Sequence, residues 1–166
     1  MVFGITQQTS GPFDLAAQIK AANTALGVFG MSLDVQSGTG TTPDVLEDDI
    51  IEIRKASETA RPGLPNVLRV MIVKMGTFNF GEAHRGKTLD GKTVKTFVFL
   101  NCNIRDVSDA TLLHEMIHAS HSSAQLHDRT PNSSIFFENG SLNPNSVRRT
   151  DLPEIHAREL AAAYFA

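Results

Sequence analysis

The chain has 166 residues, a formal net charge of −3, 41% hydrophobic residues and 20% charged residues. This length and composition predict one globular, soluble domain spanning residues 1–166, and the acidic balance gives no reason to expect a nucleic-acid partner. Cys102 is the single cysteine, which excludes an intrachain disulfide and a zinc site built from cysteine thiolates.

The sequence carries no sign of membrane insertion or of a cleaved leader. No apolar run approaches the roughly 20 residues that span a bilayer, so no membrane partner is expected. Residues 1–6 lack the basic and then apolar pattern of a secretory signal. Both the cytoplasm and export without a cleaved signal therefore fit this start, and the lone thiol slightly favours a reducing compartment.

The first third of the chain predicts helices. Apolar residues recur at three- and four-residue spacing over residues 13–29, which indicates an amphipathic helix. Residues 31–35 fit a short strand. Residues 42–56 fit a second helix, although residues 50–53 fit a strand equally well.

The middle of the chain predicts two strands. Residues 67–75 and 93–101 are rich in β-branched and apolar side chains, and residues 76–91 between them resemble a loop. Alternation in the second strand places two sets of side chains on opposite faces: Val94, Thr96, Val98 and Leu100 on one, Phe97 and Phe99 on the other.

The last third contains two predicted helices separated by an irregular stretch. The first covers residues 109–119, with Ser108 as its N-cap. Residues 122–152 are rich in Asn, Ser, Pro and Arg without periodicity, which fits either a segment that lines a cleft or a disordered one. The final helix is predicted over Pro153–Phe165, with the proline in its first turn.

The first of these two helices carries the sequence His114-Glu115-Met116-Ile117-His118. Histidines four residues apart lie on one face of a helix, one turn apart, where two imidazoles can bind one zinc ion. Glu115 lies on the adjoining flank, where it can take a proton from a water on the open position of the metal. The helix would turn its other side, with Leu112 and Ala119, to the core.

This motif resembles the HExxH signature of the zincin metallopeptidases. The resemblance implies a zinc-dependent metalloendopeptidase that hydrolyses peptide bonds of a peptide or protein substrate through a zinc-bound water activated by Glu115. It also implies a small α+β domain, with a mixed or antiparallel twisted sheet, the HExxH helix and a C-terminal helix. An edge strand within Gly81–Asn101 would then receive the substrate as an added strand, with His84 as a surface residue beside it.

A third protein ligand is expected, and the residues alone leave several candidates: His121, His127, Glu154, His156 and Glu159. The segment Pro153–Arg158 is similar to the start of the C-terminal helix in gluzincin-type small zincins, including phage-encoded domains and relatives of anthrax lethal factor. That resemblance implies Glu154 as the third zinc ligand, beside His114 and His118. Glu159, His121 and His127 remain the alternatives.

Two other resemblances bear on the ligand. Residues 111–119 are similar to the SprT-like (Spartan) proteases, which act on DNA–protein crosslinks and whose later histidine would correspond to His127. The acidic net charge counts against that family. The pattern His-Glu-x-x-His-x-x-His, extended to His121, resembles metallopeptidase effectors that bacteria inject into other cells.

The sequence offers several candidates for the residues that would support the metal ligands and the oxyanion. Candidates for a donor that stabilises the oxyanion are His127, His156, Arg158 and Tyr164. Asp106 and Asp109 are candidate acceptors for the second ring nitrogens of the ligating histidines. Two alternative functions also fit: a non-catalytic zinc-stabilised binding module with a fourth ligand, and a toxin or effector protease domain from a larger protein.

Overall fold

The computed structural model describes residues 2–6, 12–38, 66–73, 80–87, 94–104, 106–120, 127–129, 133–137 and 149–166. These residues form an α+β fold with the elements β1 (Val2–Thr6), α1 (Leu15–Gly27), β2 (Val35–Gly38), β3 (Leu68–Val73), β4 (Gly81–Lys87), β5 (Val94–Asn101), α2 (Thr111–Ser120) and α3 (Glu154–Ala161). The helix predicted over residues 42–56 lies outside the described residues.

The five strands form one mixed sheet in the order β2-β1-β3-β5-β4. β1 is parallel to β2 and to β3, and β3 is parallel to β5. β4 is antiparallel to β5 and is the last strand on that side among the strands that the structure describes. The sheet is thus mixed, and β4 lies within the range predicted for the edge strand.

The two faces of β5 belong to two different apolar clusters, as the alternation predicts. Val98 and Leu100 pack into the core that the sheet forms with α1, α2 and α3. Phe97 and Phe99 lie on the other face with Met71 and Val73 of β3. Each of these side chains is almost fully buried, and burial of one such side chain is worth about 1.5–3 kcal/mol.

The structure differs from the prediction at three strands, and one of them, β1, was not predicted at all. Residues 76–91 were predicted to be a loop, but Gly81–Lys87 form β4, which pairs with β5 along its whole length. Its glycines and charged residues give no local strand signal, so the partner strand decides its conformation. The strand predicted over residues 31–35 begins instead at Val35, where the chain pairs with β1.

The helices agree better with the sequence. α1 begins after Asp14, whose carboxylate accepts a hydrogen bond from the amide of Ala17 at 3.0 Å. α3 begins after Pro153, as predicted, and regular helix ends at Ala161 rather than at Phe165. Among the described residues, no helix combines the length and apolar character that crossing a membrane requires.

Candidate metal centre

The helix α2 is held at its N-terminus by Asp106. The carboxylate accepts hydrogen bonds from the amides of Ser108 (2.9 Å), Ala110 (2.7 Å) and Thr111 (3.0 Å), and from the Thr111 hydroxyl (2.9 Å). The predicted N-cap, Ser108, has another role: its hydroxyl oxygen accepts from the amide of Arg149 at 3.1 Å. Asp106 therefore satisfies the amides that a helix start leaves unpaired.

A second contact fixes this helix against α1. Gln18 is buried, and its side-chain oxygen accepts a hydrogen bond from the amide of Leu112 at 2.8 Å. The first turn of α2 is thereby tied to an element 94 residues earlier in the chain. These bonds set the position of the two histidines that α2 carries.

Three histidines meet beside α2. The Nε2 atom of His127 lies 3.1 Å from Nε2 of His114 and 3.0 Å from Nε2 of His118. Two of these residues come from one face of α2, as the four-residue spacing predicts, and the third comes from the segment that follows the helix. One ring nitrogen from each residue falls within 4.8 Å of the others, so the three side chains converge on a single point.

The tautomer of His114 is set by the backbone. Its Nδ1 lies 2.9 Å from the carbonyl oxygen of Ile135, which only accepts hydrogen bonds, so Nδ1 carries the proton and Nε2 presents a lone pair to the cluster. Burial is the largest cause that lowers the pKa of His114 to about 3, and the nearby His118, His127 and Arg149 act in the same direction. The ring is therefore neutral, as a metal ligand must be.

Phe136 forms an apolar floor for the cluster. Its ring centroid lies 5.1 Å from that of His114, 4.7 Å from His118 and 5.0 Å from His127. The side chain is fully buried. Packing of this kind limits the rotamers that the three imidazoles can adopt, which keeps their nitrogens together.

These residues fit a divalent transition metal ion. Nitrogen ligands at the usual zinc distance in a tetrahedral site are separated by about 3.3 Å, close to the Nε2 separations here. Imidazole suits zinc, copper, iron and nickel alike, so the donor set supports a metal site and leaves the metal's identity to experiment.

Glu115 lies on the flank of α2 that faces the edge strand. Only 5% of the residue is exposed. A Cβ atom added to Gly81 would lie 2.9 Å from Cγ of Glu115, which shows how closely β4 approaches this side chain. Burial, and to a smaller extent the charge of Glu82, raises the pKa of Glu115 to about 8.

The third candidate ligand in the structure differs from the sequence prediction. The structure brings His127 to His114 and His118, and it does not bring Glu154. The Glu154 side chain is 67% exposed and is paired with Arg158 one turn along α3. A carboxylate in the first turn of a helix is favoured by the helix dipole, which gives Glu154 a role without a metal.

The remaining ligand candidates have other positions. Glu159 accepts a hydrogen bond from Nδ1 of His156 at 3.0 Å, and His121 lies outside the described residues. His127 could have been chosen from the sequence through the resemblance to SprT-like proteases. Spacing could not choose it, because the sequence after α2 shows no periodicity that would define a direction.

Three candidates for an oxyanion donor have partners elsewhere. His156 contacts the carboxylates of Asp128 and Glu159, and Arg158 is bonded to Glu154. The hydroxyl of Tyr164 donates to the carbonyl oxygen of Thr96 at 3.1 Å. The fourth candidate, His127, belongs to the cluster itself.

The supporting residues were largely missed from the sequence. The acceptor for the second nitrogen of His114 is the Ile135 carbonyl rather than Asp106 or Asp109. Asp106 caps the helix, and Asp109 adopts a φ of 50°, an unusual value for a residue other than glycine. A backbone carbonyl has no residue signature, so no motif could have pointed to Ile135.

No model of a known protein family matches the chain, and no curated protein matches it significantly.

Proposed function

We propose that the protein is a zinc metallopeptidase of the zincin type, with His114, His118 and His127 as the metal ligands and Glu115 as the general base. The observation that carries this proposal is the convergence of three imidazole nitrogens beside an HExxH glutamate. Three protein ligands are the number that catalytic zinc sites use, since a fourth position stays open for water or substrate.

The chemistry divides between the ion and the chain. A bound divalent ion acts as a Lewis acid, which acidifies water and polarises the scissile carbonyl. In its ionised form Glu115 accepts the proton of the attacking water and later delivers it to the leaving amine, and a pKa of about 8 lies in the range that suits a general base near neutral pH. Its low exposure keeps competing solvent away from the carboxylate, and Asp106 and Gln18 keep α2 in place during the reaction.

The arrangement of β4 supports a peptide substrate. This strand ends the sheet among the described strands, and it lies directly against the Glu115 flank of α2. An extended peptide that adds to the outer edge of β4 would run past the general base, with its backbone amides paired to the strand. The resemblance to zincins implies a peptide substrate, and this placement of β4 supports the proposal.

The proposal is tested by comparing the zinc-loaded wild type with Glu115→Gln on an unfolded protein substrate. We expect the wild type to cleave the substrate, a chelator to abolish cleavage and added zinc to restore it. The variant should bind zinc with the same stoichiometry and lose activity by roughly 100-fold or more, since general-base catalysis contributes about 10²–10⁴.

Glu154→Gln is the matched control. The Glu154 side chain is 67% exposed on α3, pairs with Arg158 and lies outside the histidine cluster. The control should retain most of the activity. Full activity in Glu115→Gln would refute the role of the general base, and zinc binding without any cleavage by the wild type would instead favour the non-catalytic binding module.

A further inference from the structure

His127, the proposed third ligand, lies among the described residues 127–129, outside the named helices and strands. It precedes Asp128, whose amide donates to the carbonyl oxygen of Phe136 at 3.0 Å and which forms an isolated bridge with Phe137. Because this is one bridge and not a ladder of strand pairs, the side-chain contacts of Asp128 contribute strongly to the position of the neighbouring His127.

The Asp128 carboxylate is held from two sides. The hydroxyl of Ser134, a fully buried residue, donates to Oδ2 at 2.6 Å. Nε2 of His156 on α3 lies 3.1 Å from the same oxygen and 3.2 Å from the other. The residue next to the third ligand is thus linked to the C-terminal helix 28 residues later.

His156 is itself fixed. It is only 4% exposed, its Nδ1 lies 3.0 Å from the carboxylate of Glu159, and its ring packs on Phe136 with centroids 4.7 Å apart. Each ring nitrogen faces a carboxylate, so the ring cannot rotate without losing one of these two contacts. Phe136 also contacts the three ligand rings, so all four imidazoles surround one side chain.

We propose that His156 is a positioning residue for the metal site: through its hydrogen bond to Asp128 it anchors the segment of His127 to α3 and holds the third ligand in its ligating position. This inference rests on the metal site of the proposed function and not on peptide hydrolysis. Residues one layer outside the ligands commonly change metal affinity by about 10–100-fold when they are replaced.

Two substitutions of the same side chain separate positioning from packing. In His156→Gln the amide nitrogen takes the place of Nε2 and keeps the bond to Asp128. In His156→Asn the amide nitrogen takes the place of Nδ1 and keeps only the bond to Glu159. We expect the asparagine variant to bind zinc about 10–100-fold more weakly and the glutamine variant to stay within about threefold of the wild type.

The readouts are zinc affinity, by competition with a chromophoric chelator, and the visible absorption of the Co²⁺-substituted full chain. A weakly held third ligand lowers the affinity and changes the Co²⁺ spectrum, whereas a general loss of packing lowers the thermal midpoint of both variants alike. Glu159→Gln, which leaves the Asp128 bond intact, should match the wild type in both readouts.

Asp128→Ala removes the other partner of the hydrogen bond between His156 and Asp128. It tests the same inference if His156→Asn fails to fold. It should weaken zinc binding as His156→Asn does. The double variant should bind zinc with about the affinity of the single variant that binds less tightly, because both substitutions remove the same hydrogen bond between His156 and Asp128. Equal affinities for the glutamine and asparagine variants, or additive losses in the double variant, would overturn the inference. Failure of the wild type to bind zinc would instead overturn the metal site itself.

Discussion

The Nε2 atoms of His118 and His127 lie 3.0 Å apart, although the two residues are nine positions apart in the chain. The first nitrogen is placed by the periodicity of α2, and the second is placed by tertiary contacts of residues outside that helix. The histidine cluster thus combines a pair on one helix with a third residue that packs on Phe136 and lies next to Asp128, the partner of His156.

The ligand set predicts opposite outcomes for His127→Ala and Glu154→Ala. We expect the first to weaken zinc binding by roughly 100-fold or more, because a three-ligand site becomes a two-ligand site. The second should leave zinc stoichiometry unchanged, since Glu154 is exposed and paired only with Arg158 among its described contacts. Zinc content after dialysis and competition with a chelator measure zinc binding in both variants. Loss of zinc in Glu154→Ala but not in His127→Ala would show that the Glu154 carboxylate is the third ligand.

Gly81→Ala tests the close approach of the edge strand to α2. The new methyl group would lie 2.9 Å from the Phe99 carbonyl oxygen, from Glu115 Cγ and from Thr111 Cγ2, so β4 or α2 must move. Such overpacking costs about 1–3 kcal/mol, and we expect lower activity with nearly unchanged zinc affinity.

Chemical denaturation measures the stability of this variant. Gly27→Ala is its control, because a Cβ atom there meets nothing within 4 Å and should be neutral or slightly stabilising. Wild-type stability and activity in Gly81→Ala would show that the strand does not press on Glu115.

Asp106→Ala tests the anchoring of the HExxH helix. The substitution removes an acceptor from three amides and one hydroxyl, and it should lower the free energy of unfolding by about 1–3 kcal/mol. Ser108→Ala removes only the acceptor of the Arg149 amide and should cost about 1 kcal/mol or less. Urea unfolding of the two variants compares them directly, and a larger loss for Ser108→Ala would make the serine the true cap.

Tyr164 gives a pH dependence that can be followed without a label, because the chain has one tyrosine and no tryptophan. Burial raises its pKa from 10.0 to about 12, against the charge of Arg69. A raised pKa means that the folded state favours the neutral phenol, which donates to Thr96. The stabilisation is complete below pH 10.0 and is lost as the pH rises towards about 12.

The ultraviolet absorbance of tyrosinate measures this titration in the folded and unfolded chain. The difference in stability between the wild type and Tyr164→Phe should shrink over the same pH interval. An absorbance midpoint at the unfolded value in the folded chain would contradict the burial of the hydroxyl.

Much of the fold follows from local patterns. The alternation in residues 93–101 predicts both faces of β5, and the apolar periodicity predicts α1 and α2 to within a few residues. β4 escaped prediction because Gly81–Lys87 has little strand propensity of its own and becomes a strand by pairing with β5. Residue type predicts Ser108 as the helix cap, but the carboxylate of Asp106, two residues earlier, accepts the hydrogen bonds of the first helical amides.

By itself, the sequence determined the helix that carries His114, Glu115 and His118, and the presence of a face on which two imidazoles can bind one ion. Both follow from helical periodicity, which acts between residues close in the chain. The α+β class was implied by the resemblance to zincins. Only the tertiary structure decided that His127 and not Glu154 completes the cluster, that Ile135 sets the tautomer of His114, and that β4 borders Glu115. Those relationships join residues distant in the chain, and burial and hydrogen bonding between packed elements select them.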